Sequence, residues 1–277
     1  MTKWWPRSAR GKAVAGTTYG SPGAGRSGHI SFITVITLIG LWVLATSMEW
    51  VRPLFLPSPA AVGTKLVVAM TDGIAGSTLS EHAQASLTRV ASAFFLACVT
   101  AIPIGILMGV NRYVRGFFDP LIEFYRPLPP LAYLPIIIIW FGIGEFPKVL
   151  LIYLAIFAPM AIAARAGVRS VSIEQIHAAY SMGGTSTQIV WHVILKAALP
   201  DIFTGMRIGI GVGWTTLVAA EMVAADRGLG FMVLNAAQFL ASDVVIMGIA
   251  VIGVFALAFD LLMRSLMKRS IPWHGRA

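Results

Sequence analysis

The segment HAAYSMGGTSTQIVWHVILKAALP, residues 177–200, interrupts an otherwise apolar stretch of the chain. It carries two histidines, two adjacent glycines and several hydroxyl side chains. Just before it, Ser172 and Gln175 have the spacing of a capping box, which predicts that a helix begins there. Gly183 and Gly184 are expected to end that helix. The pattern therefore predicts a glycine elbow within an amphipathic segment.

A second short helix is predicted after the two glycines. Thr185 or Ser186 would cap this helix, and Pro200 would close it. Its apolar stripe consists of Ile189, Val190, Val193, Ile194 and Ala197. The pattern alone leaves two interpretations open: a surface element that lies on a bilayer, or a docking element for a cytoplasmic partner.

The composition is typical of a membrane protein. Of the 277 residues, 57% are hydrophobic and 12% are charged, whereas about 25% of the residues in a soluble domain are charged. A membrane-spanning helix needs about 20 mostly apolar residues. Six windows indicate such spans, and the third and fifth are the least regular: residues 27–48, 90–111, 127–144, 149–164, 202–225 and 244–263.

The positions of lysine and arginine predict the orientation. With both termini in the cytoplasm, 16 of the 21 basic residues lie on the cytoplasmic side, as the positive-inside rule requires. We therefore expect a flexible basic cytoplasmic tail at residues 1–28 and a second cytoplasmic tail at residues 264–277. The net charge of +9 then reflects topology and contact with anionic lipid, not with nucleic acid. A cleaved signal peptide is the alternative for the first tail, although its charged region would be unusually long.

Motifs for catalysis and metal binding are missing from the sequence. It contains no GxxxxGK[ST] phosphate loop, no HExxH motif and no GxSxG motif. Cys98 is the single cysteine, so neither a disulfide nor a cysteine-based metal site is predicted. We therefore expect a protein that is not an enzyme and that holds no cofactor or metal in this chain.

Two stretches bring irregular or polar groups into predicted spans. RPLPPLAYLP, residues 126–135, contains four prolines, each of which lacks a backbone donor. GMRIGIGVGWTTLVAAE, residues 205–221, contains four glycines followed by polar side chains. Such features either serve helix packing or border a water-filled path. We assign to a translocation pathway Pro130, Tyr133, Pro135, Trp214, Thr215, Thr216 and Glu221, with Glu221 toward the outer mouth.

The segment 177–200 resembles the EAA loop of ABC importer permeases. The family positions that it keeps are Ala178, Ala179, Gly183, Val193 and Leu195. Two positions depart from the family pattern, since His177 stands where the family usually has Glu and Lys196 stands where it usually has Pro. The glycine elbow and both apolar faces are kept.

The resemblance extends over about residues 35–275. It rests on SLTRVASAF (86–94), IPIGILMGV (102–110) and RPLPPLAYLPIIIIWFGIGE (126–145). These motifs are similar to those of the branch that transports taurine, alkanesulfonates and nitrate, and most of all to its taurine permeases. The resemblance therefore implies a multi-pass protein of the bacterial inner membrane.

The family implies a fold. We expect an all-α integral membrane protein with six transmembrane helices, the type I importer (MetI-like) permease fold and a cytoplasmic coupling helix. Residues 29–83 would form the first transmembrane helix and a periplasmic connection. Residues 84–263 would form the core permease domain, with five transmembrane helices and the coupling segment 172–198.

The family also implies partners. A second copy of the chain would complete the path, and two ATPase subunits that use ATP and Mg would dock in the cytoplasm. A periplasmic binding protein would deliver taurine or a related sulfonate. The residues implied in coupling are His177, Ala178, Ala179, Tyr180, Met182, Gly183, Gly184 and Ile189. The alternatives are the same machinery for another small anion, such as alkanesulfonate or nitrate, a secondary transporter without an ATPase, or a membrane scaffold.

The orientation is tested by labelling cysteines in intact cells, after Cys98 is replaced by serine. A cysteine near Gly11 should resist a membrane-impermeant thiol reagent because that residue lies inside the cell. A cysteine near Gly76 should react. The reverse labelling pattern would contradict the orientation and would place residues 177–200 outside.

Overall fold

The computed structural model describes residues 28–271, and every regular element in this range is a helix. The chain forms two compact units, Met1–Val51 and Arg52–Ala277. Residues 1–27 of the predicted N-terminal tail lie outside the described residues, as does the end of the predicted C-terminal tail. Residues 264–270 of that second tail continue the last helix.

The helices follow one another with short connections. In chain order they are α1 (Gly28–Ser47), α2 (Pro59–Thr71), α3 (Leu79–Val110), α4 (Arg112–Tyr125), α5 (Pro130–Phe141), α6 (Glu145–Arg169), α7 (Ile173–Ser181), α8 (Ser186–Ile189), α9 (Leu195–Ala224), α10 (Leu229–Gln238) and α11 (Ser242–Ser270). A π-helical turn, Val190–Ile194, joins α8 to α9.

Among the described residues, five helices are long and apolar enough to cross a membrane. They are α1, α3, α6, α11 and the continuous helix Ser186–Ala224, which contains α8, the π-helical turn and α9. Counting α4 and α5 together as one bent span gives six. This number agrees with the six spans predicted from the apolar windows.

The third span differs from its prediction. It was expected as one helix over residues 127–144, but α5 covers only Pro130–Phe141 and meets α4 at an angle of 104°. Twelve residues of helix extend about 18 Å, which is short of the roughly 30 Å of a bilayer core. Pro127, Pro129 and Pro130 explain the break, because proline disfavours helix in the residue before it.

Pro200 does not close a helix, contrary to the prediction. It lies inside α9, which continues to Ala224. Proline removes one backbone hydrogen bond, but Ala198 and Ile202 on either side are 0% and 4% exposed and pack in one cluster with Ala164 of α6. This tertiary packing holds the helix together across the proline.

Small residues set the distance from α6 to α3 and to α9. A Cβ atom added at Gly105 of α3 would overlap the carbonyl oxygen of Ala161. On α9, a Cβ at Gly209 or Gly213 would lie 3.1 or 2.7 Å from Ile156. Close approach of this kind is how small residues stabilise helix pairs in membranes. Of the four glycines in the stretch 205–221, Gly205, Gly209 and Gly213 therefore serve packing.

A second apolar cluster joins α2 to α10 and α11. Ala69 of α2 and Met232 of α10 are both 0% exposed, and Met247 of α11 is 1% exposed. The helix α2 therefore belongs to the same compact unit as the later helices. The domain boundaries proposed from the sequence, which group α2 with α1, remain predictions.

Replacement of Gly105 by alanine tests the α3–α6 packing. The added methyl group should lower the free energy of unfolding by about 1–3 kcal/mol, the usual cost of overpacking. The matched control is Gly253→Ala on α11, where no atom lies within 4 Å of the added Cβ. Thermal unfolding of the purified protein in detergent measures both variants. Equal melting temperatures would contradict this account of the contact.

Candidate functional site

The coupling segment, residues 172–198, folds into the two capped helices predicted from the sequence. The Ser172 Oγ accepts the backbone N–H of Gln175 at 3.3 Å and caps α7. Thr185 caps α8, and its own N–H donates to Gln188 Oε1 at 2.9 Å. Gly183 between the helices has φ of +83°, a conformation that favours glycine because it lacks Cβ. The predicted elbow is therefore present.

One side of the coupling segment packs onto the spanning helices. Ile189 and Ile194 are 3% and 8% exposed, and they join one apolar cluster with Ala164 and Val168 of α6. Ile189 was assigned to the contact with an ATPase, but its side chain is buried within this chain. Ile189 therefore packs the coupling segment against α6 and does not form part of the exposed surface of that segment.

The other side of the coupling segment is exposed and apolar. Ile173, Tyr180 and Met182 are 60%, 48% and 83% exposed, and we call these three residues the coupling surface. The Tyr180 hydroxyl lies 3.2 Å from Ser186 Oγ, so it links α7 to α8. Exposed apolar groups of this size mark interaction surfaces. Of the other residues assigned to coupling, His177, Ala178 and Gly183 are exposed, and Ala179 and Gly184 are half-buried.

A cavity of about 180 Å³ lies at the break between α4 and α5, and we call it the α4–α5 cavity. Pro130 and Tyr133, both assigned to the pathway from the sequence, line it. Its other lining residues are Tyr125, Arg126, Leu128, Leu154, Ala155, Ala158, Pro159 and Val212. The bent third span thus borders a cavity, as the irregular backbone of RPLPPLAYLP predicts.

A larger cavity of about 610 Å³ lies between α9 and α11. Trp214 and Thr215 line this α9–α11 cavity, as the pathway assignment requires. The Trp214 Nε1 has no hydrogen-bond partner among residues 28–271. Asp260 also lines this cavity, and it pairs with Arg264 at 2.6 Å and with Arg207 at 2.9 Å. The Arg264 pair follows from the four-residue spacing, whereas the Arg207 pair joins two helices and has no local signal.

Three residues assigned to the pathway lie elsewhere. Pro135 is exposed and lines neither of these two cavities. Thr216 is 4% exposed, and Glu221 is 0% exposed. Glu221 was expected to face a cavity, a partner or the outer surface because a carboxylate is costly against lipid, and by its position it was assigned to the outer mouth of the pathway. In the structure that cost is met by polar partners inside the protein, so we remove Glu221 from the pathway.

The partners of Glu221 come from α3 and from the start of α10. Its Oε1 accepts a hydrogen bond from Arg89 Nη1 at 2.7 Å and from Ser86 Oγ at 2.8 Å. Its Oε2 accepts the backbone N–H of Gly230 at 2.9 Å. A Cβ at Gly228 would overlap the Glu221 carboxylate, so the loop reaches this carboxylate only because glycine is present there.

Arg89 extends the network to α6. Its Nε and Nη2 donate to the two oxygens of Glu145 at 2.5 and 2.8 Å, which is a bidentate pair. The Glu145 carboxylate also accepts a hydrogen bond from Lys148 Nζ at 2.7 Å. Arg89, Lys148 and Glu221 are buried, whereas the side chain of Glu145 is 61% exposed. These four residues form what we call the buried ion network, which contains two cations and two anions. Its charges therefore balance, as a buried cluster requires.

His82 adds a neutral branch beside this network. The backbone N–H of Gly228 donates to His82 Nδ1 at 3.1 Å, so Nε2 carries the proton and donates to the carbonyl of Ile74 at 2.9 Å.

Sequence reasoning missed Arg89, Glu145 and His82. The available signal was a charged or polar residue inside an apolar helix, which needs a partner on another helix. Among the described residues, no group of three or more His, Cys, Asp or Glu side chains is placed to hold a metal.

Comparison with known proteins identifies the family. Residues 101–271 match the family described as binding-protein-dependent transport system inner membrane component. The chain belongs to this family. It is an ABC importer permease of the inner membrane, which confirms the family that the sequence resembles, whereas the EAA-loop role of residues 177–200 stays a prediction.

Individual relatives define the branch of the permease. It is 54% identical to the taurine transport system permease protein TauC of Escherichia coli (strain K12) over 89% of this chain and 90% of TauC. It is 32% identical to the putative aliphatic sulfonates transport permease protein SsuC of Bacillus subtilis (strain 168), over 92% of this chain and 91% of SsuC. These matches confirm the branch expected from the sequence.

A solved structure supports the fold of the permease. The inward-facing methionine ABC transporter MetNI, in its native crystal form, matches with a TM-score of 0.61 over 69% of this chain and 95% of that chain, at 17% identity. At this identity the match bears on the fold alone. It confirms the expected all-α, MetI-like permease fold.

Removal of Arg89 tests the buried ion network. Arg89→Met should lower the free energy of unfolding by about 3–5 kcal/mol, because it leaves the Glu221 carboxylate buried without a cation. The control is Asp243→Asn, which breaks the partly exposed pair with Lys65 at 3.8 Å and should cost about 1 kcal/mol or less. Thermal unfolding in detergent compares the two. Similar losses would show that the network contributes no more than a surface pair.

Proposed function

We propose that this permease is the membrane-spanning subunit of an ATP-driven importer that moves taurine or a related sulfonate from periplasm to cytoplasm. The 54% identity with TauC supports this substrate class. In the proposal, two copies of the chain enclose the path and a periplasmic binding protein delivers the substrate. Two ATPase subunits bind ATP and Mg, and this chain holds no cofactor. Both termini are cytoplasmic.

The observation that carries the proposal is the coupling surface. Ile173, Tyr180 and Met182 expose large apolar groups on a capped helix pair. An apolar surface on a rigid support favours docking into a groove, because little conformational entropy is lost on binding. His177 and Lys196 replace the usual family residues, so the fit of apolar groups, not charge at those two positions, would hold the interface.

The same helices connect the coupling surface to the cavities. The helix Ser186–Ala224 is continuous from the coupling segment to Glu221. On its way it contributes Val212 to the α4–α5 cavity and Trp214 to the α9–α11 cavity. When ATP draws the ATPase subunits together, they would displace the coupling segment. Because α9 is packed against α6, that displacement would move the walls of both cavities and turn the path outward, and hydrolysis would reset it.

Reconstitution tests the function. Proteoliposomes that contain the permease and its ATPase subunits should take up radiolabelled taurine only when ATP and the binding protein are both present. Ethanesulfonate, nitrate and bicarbonate serve as competing substrates. Uptake that continues without an ATPase would overturn the ATP-driven mechanism, and competition by nitrate alone would move the substrate class to inorganic anions.

Substitutions in the coupling segment extend this test. Met182→Glu should reduce co-purification with the ATPase and uptake by about tenfold or more, because it places a charge in an apolar contact. Gly183→Trp should abolish both, since its side chain adds bulk at a positive φ that costs about 1 kcal/mol or more. His177→Ala should reduce co-purification with the ATPase and uptake much less than these two substitutions do.

The control for Met182→Glu is the same substitution at Met70 of α2. Met70 is 60% exposed and lies far along the chain from the coupling segment. Met70→Glu should leave association with the ATPase unchanged. Normal association and uptake by the Met182→Glu and Gly183→Trp proteins would remove the coupling role from this segment.

A further inference from the structure

The α4–α5 cavity has one charged lining residue, Arg126. Its guanidinium has no ion-pair or hydrogen-bond partner among residues 28–271. By contrast, Arg89, Arg165 and Arg207 on the spanning helices and their neighbours each pair with a carboxylate. Arg126 is therefore a cation at a cavity wall whose five N–H donors are available to a ligand.

The cavity lies at the middle depth of α6. Its wall includes Leu154, nine residues after the start of that helix at Glu145, and Pro159, ten residues before its end at Arg169. At 1.5 Å per residue, both positions are about 14–15 Å from the ends of α6. Arg126 lines this cavity from the end of α4 and is itself exposed, so its guanidinium is accessible to a ligand.

Tyr133 supplies a second polar group. It lines the same cavity, and its hydroxyl has no hydrogen-bond partner among the described residues. The neighbouring Tyr125 hydroxyl, in contrast, donates to the carbonyl of Leu154 at 3.4 Å. The remaining walls are apolar or small, with Leu128, Ala155 and Val212 among them. The cavity thus combines one cation, one free hydroxyl and apolar walls.

We propose that the α4–α5 cavity is a binding site for a small organic oxyanion of the sulfonate type. Arg126 donates a forked pair of hydrogen bonds to the sulfonate oxygens, and Tyr133 donates a third. A guanidinium matches a planar or tetrahedral oxyanion in this way, whereas an ammonium group acts as a point charge. The apolar walls contact the carbon chain. This inference rests on the proposed import of sulfonates, and it places a sulfonate-binding site within the permease.

The charge of the lining residues predicts the selectivity of the site. No carboxylate is present among the described residues that line the cavity. The ammonium group of taurine therefore has no opposite charge to pair with there. The site should recognise the sulfonate end alone, so ethanesulfonate should compete with taurine at similar concentrations.

Binding of radiolabelled taurine to the full chain, in nanodiscs of phosphatidylcholine, tests the proposal without an ATPase or a binding protein. Arg126→Gln should weaken binding by about tenfold or more, since it removes a charge-assisted hydrogen-bond pair. Arg126→Lys keeps the charge but loses the forked pair of hydrogen bonds. The affinity of this variant for taurine should therefore lie between that of Arg126→Gln and that of the unchanged protein. Tyr133→Phe should weaken binding by about threefold to tenfold through loss of one hydrogen bond.

Two variants control for charge and for hydroxyl loss outside the cavity. Arg115→Gln removes a cation from α4, and Tyr113→Phe removes a hydroxyl from the same helix; neither residue lines the cavity. Both should bind taurine as the unchanged protein does. Melting temperatures establish that all the variants are folded. Equal affinity in the Arg126 and Tyr133 variants and in the unchanged protein would overturn the site.

A lipid phosphate has the same oxyanion chemistry as a sulfonate. Lipid extracted from the purified protein distinguishes the two sources. If Arg126→Gln reduces the anionic lipid that co-purifies but leaves taurine binding unchanged, Arg126 is a lipid contact and the proposal is wrong. If the unchanged protein binds taurine in an Arg126-dependent manner but proteoliposomes do not import it, the site stands and the proposed import fails. Ethanesulfonate that fails to compete would overturn recognition through the sulfonate alone.

Discussion

The close packing of α9 against α6 is the constraint on which the rest of this permease depends. Gly209 and Gly213 bring the two helices together because any side chain there would meet Ile156. With that contact in place, one continuous helix carries the coupling segment at one end, both cavity walls along its length and Glu221 near the other end. Each functional feature is therefore positioned by the same pair of helices.

Some charges inside the spanning helices are paired with a charge on another helix. Arg89 and Glu221 neutralise each other through a contact of 2.7 Å, and Arg207 pairs with Asp260 at 2.9 Å. Removal of one partner from a buried pair costs far more than the pair itself contributes, so such pairs are retained once they form. Arg126 is unpaired within residues 28–271, and it lines a cavity. At the wall of this cavity, the Arg126 guanidinium is accessible to a ligand.

The sequence predicted the features whose signals are local. Capping residues and Gly183 located the elbow because its signal lies within one or two helical turns, and apolar windows located the spans because each signal lies within one continuous stretch of about 20 residues. The 104° bend between α4 and α5 was missed because prolines indicate where a helix breaks but not its angle. Glu221 was misplaced because Arg89, its partner, is 132 residues away in the sequence. Pro200 was misread because packing around Ala198 outweighs the lost hydrogen bond.

The coupling segment has open space around its elbow, whereas the spanning helices are closely packed. Gly183 has open space around it, with no atom within 4 Å of an added Cβ, whereas Gly105 and Gly167 have none to spare. The elbow therefore leaves room for the side chains of a partner, while α3, α6 and α9 are closely packed side by side. Sliding of α9 along α6 would drive Gly205, Gly209 and Gly213 out of register with α6. Motion imposed at the coupling surface is thus more readily taken up as rotation of the packed helices as one body than as movement between them.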